Sequence, residues 1–378
     1  MTTSKTDSIT PGLVILVIFN ATVLLAGQSI QFAPAIALSA LLLLVWLGDQ
    51  RLNRHVTSML LWAAFLSLCF IQLFNPGQVF AEPAGARYVL PEHAWLPFSL
   101  VGWGTMLTLA GWSADAALDA AQGAAQVRFA RDQIERCVLI LAAGLAVLGI
   151  IQRICHAHSF FGIIPYHQQF FSVFGYINNA ASWFMLAAAL ALHRSWRNLP
   201  LFALFALCAW LCECRAMMPV FSVLILVKAL GIRSYWLIIP GLAGAGWLYA
   251  DQVLADRWFE LEAEARLLWR YPYFGVGAFS HFLMVPNVSP LWLRALLCHQ
   301  PVTHCDPLVF AVEYGLVGFG LLFAIALRAL RRVNLGTCAG FGLLALALHS
   351  LIDMPLRSPA ILALALVLTA AGKEGAGS

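Results

Sequence analysis

The number and spacing of apolar runs in this chain constrain its fold more than any other feature. Hydropathy divides it into about twelve of them, near Pro11–Gly27, Ala33–Leu47, Val56–Phe74, Pro97–Trp112, Cys137–Ile151, Ala180–Leu192, Leu199–Cys212, Met217–Leu230, Tyr235–Ala250, Pro307–Leu327, Leu335–Ile352 and Pro359–Ala371. Hydrophobic residues make up 61% and charged residues 11% of the 378 positions, with a mean hydropathy of +0.82. One soluble core cannot hide that much apolar surface, so the bilayer is the expected solvent. Several runs fall short of the ~20 residues of a spanning helix, and their helices are expected to extend into polar flanks. The first run follows MTTSKTDSITPG with no small-residue cleavage site, and reads as a span, not as a removed signal peptide. No internal repeat relates the first six runs to the last six.

The basic residues orient this array. Starting inside, one set of connections holds Lys5; Arg51 and Arg54; Arg128, Arg131 and Arg136; Arg194 and Arg197; Lys228 and Arg233; Arg328, Arg331 and Arg332; and Lys373. Lys and Arg favour cytoplasmic loops, so both termini are expected in the cytoplasm. The opposite side receives Arg87, Arg153, Arg215, Arg257, Arg266, Arg270, Arg294 and Arg357, with no lysine. Arginines kept where positive charge is disfavoured need a reason, and phosphate pairing supplies one. The net charge of +4 and the lack of a basic stripe argue against a nucleic-acid partner.

One long segment, Asp251 to Asp306, interrupts the apolar series with four arginines and three histidines. It divides the chain into nine spans over 1–250, an outer loop over 251–305 and three spans over 306–378. Loops of this length tend to be functional or disordered, and its helix-like charge pattern argues against disorder. Trp258, Leu261, Ala265 and Leu268 recur at helical spacing, with Arg257, Glu260 and Glu264 on another face. This predicts an amphipathic helix over Ala255–Arg270 on the outer membrane surface. Pro272 ends it, and Gly275 and Gly277 permit a tight turn. No strand precedes the GVG pair, so a dinucleotide fold is not indicated. Ser113–Arg136 is alanine-rich and predicts a connecting helix at the membrane surface, and Asn75–Trp95 reads as an outer cap.

Cys155, His156 and His158 form a C-H-x-H cluster, but no second cluster at metal-ligand spacing accompanies it, and no metal or other cofactor is expected. The nine cysteines are an odd number. Cys298 and Cys305 share the oxidising side, where they are able to close a small loop, whereas Cys69, Cys137, Cys208 and Cys338 read as apolar filling.

Several segments, in order, resemble the O-antigen ligase and O-antigen polymerase superfamily of bacterial envelope glycosyltransferases. Phe170–Leu190, FFSVFGYINNAASWFMLAAAL, is similar to its FG-x-x-N-x-N segment. ECRAMMPVF from Glu213 is similar to its S-R-G/S-A helix start. RWFELEAEARLLWRYPYFGVGAF from Arg257 resembles an arginine followed by P-L-x-G-x-G. HCDPLVFAVEYGLVG from His304 resembles H-N-D-x-L-x-x-x-x-E-x-G-x-x-G, and HSLIDMPLRSPA from His349 resembles H-S-x-x-D-x-P. The likeness covers roughly Phe170–Pro359. It departs from the family at Cys214, which precedes Arg215, at Ala216 and Met217 after it, and at Cys305, where Asn is usual.

The resemblance implies an all-α polytopic membrane protein of about twelve transmembrane helices, glycosyltransferase C-like, with one long periplasmic loop carrying amphipathic helices. It places the protein in the bacterial inner membrane with a periplasmic active site. The implied reaction moves a glycan from an undecaprenyl diphosphate carrier to a sugar hydroxyl, inverting and independent of metal; the acceptor is another glycan or lipid A–core. Fixed guanidinium groups would stabilise the diphosphate leaving group, for which Arg215 and Arg257 are candidates. The acceptor hydroxyl needs a proton acceptor, for which His304 is the candidate, oriented by Asp306 or Glu313. Arg266, His349, Asp353, Asn178 and Asn179 complete the candidate substrate-binding set. Arg266 also reads as a surface partner of Glu262, His349 and Asp353 as a tie between spans, and the two asparagines as a helix cap. Ligase and polymerase differ only in acceptor, and scarce outer basic surface favours the polymerase. From another class, a transporter or flippase of lipid-linked sugars also suits twelve spans. A glycoside hydrolase would need two carboxylates flanking a cleft, for which there is no clear counterpart.

Overall fold

The computed structural model describes residues 61, 63–65, 67–68, 124–157, 159–160, 164–165, 171–172, 174, 177–214, 217–230, 250–277, 281–288, 304–331, 333–334, 336–358, 361, 364–365 and 368–369. These are overwhelmingly helical: α1 (Ala124–Ile154), α2 (Ile177–Arg194), α3 (Leu199–Leu211), α4 (Met217–Leu230), α5 (Ala250–Arg270), α6 (His281–Val288), α7 (Asp306–Leu330) and α8 (Cys338–Ser350). A two-residue antiparallel pair, β1 (Ser159–Phe160) and β2 (Ile164–Pro165), lies between α1 and α2. Six predicted runs coincide with helices here, and the run Met217–Leu230 matches α4 at both ends. The runs of the first hundred residues lie almost entirely outside the described residues.

Every residue of α2 from Ala180 to Leu192 is buried. A helix that is apolar on all sides belongs at the centre of a bundle, and α2 packs against α1, α3, α4 and α8. Trp183, Phe184 and Met185 fill the middle of this core together with Phe205 of α3 and Phe341 of α8. Apolar side chains also cover the outside: Ile140 and Ile154 of α1, Trp210 of α3, Leu230 of α4 and Phe323 of α7 are exposed. Among the described residues, two helical stretches, Glu135–Ile154 and Asp306–Arg328, are long and apolar enough to cross a membrane.

The bundle has two chemically distinct ends. At one, Arg194 Nη1 donates to Glu135 Oε2 at 3.3 Å and Lys228 Nζ donates to the His193 carbonyl at 2.8 Å. At the other, Arg153 Nη2 donates to the Leu211 carbonyl at 3.2 Å, and α8 terminates beside Cys214 and Asp353. The alanine-rich segment before Cys137 is not a separate surface helix over its described part. From Ala124 it runs unbroken into the apolar run as one 31-residue helix, because no proline interrupts it.

The helix expected over Ala255–Arg270 is present as α5, and it ends before Pro272 as predicted. Its buried face differs from the expected one. Ala263, Glu264 and Leu267 are buried while Ala265 is exposed, so a carboxylate assigned to the polar face lies in the core. The cause is α7: α5 and α6 pack on it, sharing a small core of Ala263, Leu267, Val276, Met284 and Val312. The segment after α5 goes further and enters α7. At Gly315 the helix is broken, with φ 65° and ψ −178°, a conformation open almost only to glycine. Val276 N donates to the Val312 carbonyl at 2.9 Å and Gly277 N to the Glu313 carbonyl at 2.9 Å. In return, Leu316 N donates to the Pro272 carbonyl at 2.7 Å and Val317 N to the Tyr273 carbonyl at 3.3 Å. The loop thus takes up groups that an interrupted helix leaves open. A Cβ at Gly275 would collide with the Val312 carbonyl, and one at Gly315 with the Tyr273 carbonyl.

Candidate active site

Four residues singled out in the sequence, His304, Asp306, His349 and Asp353, meet where α7 starts and α8 stops. His304 precedes α7 and Asp353 lies in the turn beyond α8; His304 Nδ1 and Asp353 Oδ1 are 2.9 Å apart. A carboxylate only accepts, so Nδ1 carries the hydrogen, and the neutral form of the ring has its lone pair on Nε2. The same Oδ1 accepts from Met354 N at 2.8 Å. Asp306 closes the junction twice, its N–H donating to the Asp353 carbonyl at 3.3 Å and its Oδ2 accepting from Leu356 N at 2.9 Å. His304 keeps 22% of its side-chain surface exposed, against 7% for Asp353.

This corrects the orienting partner. The sequence reading gave that role to Asp306 or Glu313, but Asp306 holds the short 3₁₀ turn Pro355–Arg357 against α7, and Glu313 pairs with His281. Glu313 follows Asp306 by two helical turns, too far along α7 for both to reach a histidine at its start. Burial works against charge on Asp353, yet hydrogen bonding from His304 and the neighbouring His349 outweighs it and holds the carboxyl well below the usual range.

His349 is fully buried behind this pair. Its Nδ1 lies 3.0 Å from Ser182 Oγ, and its Nε2 faces Asp353 Oδ2 at 3.6 Å and Cys214 Sγ at 3.7 Å. The tie between helices expected of His349 and Asp353 is therefore present, joining α2, α8 and the turn before α4. Ser182 and Cys214 were missed as members. Cys214 carried a signal, since it stands next to the candidate Arg215 in the sequence; Ser182 carried none. Asn178 and Asn179 lie inside the first turn of α2, one and two residues past Ile177, instead of capping it. The Asn178 carbonyl accepts from Ser182 Oγ at 2.7 Å.

Arg215 lies outside the described residues, and Arg257 is described only as part of the α5 backbone. Arg266 pairs with Glu262 at 2.5 Å on the exposed face of α5, in keeping with the surface pair read from its spacing. Cys155 and His156 are exposed in the turn after α1, while His158 lies outside the described residues. Cys305 carries a free thiol, so the small loop considered with Cys298 is not closed; burial, the main influence, raises this thiol above its ordinary value.

A second constellation was not anticipated. His281, at the start of α6, places Nδ1 2.8 Å from Glu313 Oε1 and Nε2 3.9 Å from Glu264 Oε1, and all three side chains are buried beside the Gly315 break.

Compared with models of known protein families and with curated proteins, the chain shows no match. A histidine with its proton fixed on one nitrogen, a partly exposed ring and a buried carboxylate behind it is able to accept a proton from a bound hydroxyl.

Proposed function

We propose that this chain is a membrane glycosyltransferase. In this reading it is a multi-pass protein of about twelve spans in a bacterial inner membrane, and it transfers a glycan from an undecaprenyl diphosphate carrier to a sugar hydroxyl on the periplasmic side. The observation that carries the reading is the His304–Asp353 hydrogen bond of 2.9 Å, which leaves Nε2 of a partly exposed imidazole as the proton acceptor. That nitrogen takes the acceptor hydroxyl's proton as the oxygen attacks the anomeric carbon. The carbon–oxygen bond to the diphosphate breaks on the opposite face, inverting the centre. Arg215 and Arg257 neutralise the departing diphosphate, so the displacement itself calls for no metal. The acceptor is a second carrier-linked glycan in a polymerase and lipid A–core in a ligase; scarce basic surface on the outer side favours the polymerase.

One observation favours a second reading, a transporter or flippase of lipid-linked sugars. Broken helices with charged groups beside the break are typical of transporters, and α7 is broken at Gly315 next to buried Glu264, His281 and Glu313. Reconstitution of the purified protein in vesicles with carrier-linked glycan and no ion gradient separates the two. Longer or relocated glycan is the expected product; unchanged glycan that has merely crossed the bilayer would replace the transferase reading with the transporter. Deleting the gene and resolving surface glycans on a gel then assigns the acceptor. Single repeat units mean polymerase, and retained carrier-linked polymer with bare lipid A–core means ligase.

A further inference from the structure

Cys214, His349 and Asp353 meet at one buried point, each with one ligand atom within 4.8 Å of the other two. Ser182 Oγ donates its hydrogen to the Asn178 carbonyl at 2.7 Å, so toward His349 it offers only lone pairs and accepts from Nδ1–H at 3.0 Å. The other ring nitrogen, Nε2, faces Asp353 Oδ2 at 3.6 Å and Cys214 Sγ at 3.7 Å. At those distances the contacts of Nε2 are loose: a protonated ring would form a long ion pair with the carboxylate, whereas a neutral ring beside a thiolate would leave lone pairs on all three atoms facing one point. This is not a nucleophile–base–orienter relay. There the nucleophile and the acid occupy opposite ring nitrogens, whereas here thiol and carboxylate converge on the same one. Cys214 is moreover 6% exposed, which leaves a substrate no approach.

Three lone-pair donors converging on one point suit a cation. We propose that Cys214 Sγ, His349 Nε2 and Asp353 Oδ2 bind a zinc-type divalent ion. Tetrahedral coordination at zinc–sulfur, zinc–nitrogen and zinc–oxygen distances of about 2.0–2.3 Å gives ligand-to-ligand edges of about 3.3–3.6 Å. Two of the three edges here are 3.6 and 3.7 Å, and all three donor atoms lie within 4.8 Å of one another. Groups behind the ligands aim them, as zinc ligands are usually aimed. His349 Nδ1 rests on Ser182 Oγ, and Asp353 Oδ1 is held by His304 Nδ1 and Met354 N, which leaves Oδ2 for the ion. The mixed sulfur, nitrogen and oxygen set suits zinc over calcium or magnesium. Binding releases the Cys214 thiol proton to solvent, and a thiolate, a carboxylate and a divalent ion sum to zero charge. A neutral assembly is what a buried site tolerates best. The site holds α2, α8 and the turn before α4 together, and it fixes the carboxylate on which His304 rests. It does not depend on the transferase reading.

The test uses the full chain purified in detergent, stripped with a chelator and titrated with cobalt(II). About one cobalt per chain is expected, with a thiolate-to-cobalt charge-transfer absorption that zinc(II) displaces. Cys214→Ser should abolish that absorption and weaken zinc binding at least about tenfold; His349→Gln should weaken it similarly, whereas Cys155→Ser, at an exposed thiol, should change nothing. Stripped wild type that takes up no stoichiometric cobalt overturns the proposal, as does an absorption that persists in Cys214→Ser. Because the first measurement is made on wild type, a variant that fails to fold does not rescue it. Intact glycan transfer by a chain that binds no cobalt would remove the ion alone, and a cobalt-binding chain without transfer would remove the transferase reading alone.

Discussion

His304 and His281 make nearly the same contact and live in opposite surroundings. Each sets Nδ1 against a carboxylate, at 2.9 Å for His304 on Asp353 and 2.8 Å for His281 on Glu313. His304 retains 22% of its side-chain surface, whereas His281 retains 1% and has Glu264 on its second nitrogen at 3.9 Å. Both nitrogens of His281 are thus occupied by protein, and no acceptor reaches them. The comparison separates chemistry from construction: a histidine–carboxylate pair becomes reactive only where the far nitrogen opens outward, and a sealed pair holds helices together.

The sharpest way to break this contrast is to remove each ring. His304→Ala should reduce glycan transfer by about 10²–10⁴-fold with carrier binding retained; near-wild-type turnover of the purified variant would make His304 an interfacial residue like any other. Arg257→Lys should lose most of the transfer, roughly 10²-fold, because an ammonium cannot reproduce the two-pronged grip on diphosphate oxygens. Unchanged kinetics would take Arg257 out of the site. His281→Ala should act on stability instead, by about 3–5 kcal/mol in denaturant unfolding, since it removes the ring that pairs with two buried carboxylates. A stable variant with slow transfer would erase the distinction between the two histidines. Gly315→Ala should destabilise by roughly 1–3 kcal/mol from backbone conformation alone, before its collision with the Tyr273 carbonyl is counted. Arg266→Lys should change stability by less than about 1 kcal/mol, as expected of an exposed pair, and should leave transfer near wild type.

Hydropathy foretold α4 residue for residue and the presence of α2, though not its place at the core, because an apolar run of helical length has few other ways to satisfy its backbone. It was silent about the break in α7. Gly315, Leu316, Val317 and Gly318 read as an ordinary apolar run, and only the distant YPYFGVG segment makes the interruption possible. The same blindness misassigned Glu264, whose spacing puts it on a polar face of an isolated helix; His281, seventeen residues on, gives it a reason to be inside. Where α7 starts, sequence order brought His304, His349 and Asp353 into one candidate set. It did not tell which carboxylate serves which imidazole, since that depends on how the end of α8 meets the start of α7.

The four hydrogen bonds between residues 272–277 and α7 have a consequence for how the molecule assembles. Nothing within the segment from Asp306 to Leu330 forbids an unbroken helix, for a glycine costs a helix interior only about 1 kcal/mol. Cut free, that segment should heal its own gap. In the chain, the loop is made first and waits some thirty residues upstream, and α7 gains its native form only by surrendering internal bonds to it. The amides of Val276, Gly277, Leu316 and Val317 should then resist hydrogen exchange as one cooperative unit, opening together although two belong to a loop and two to a helix.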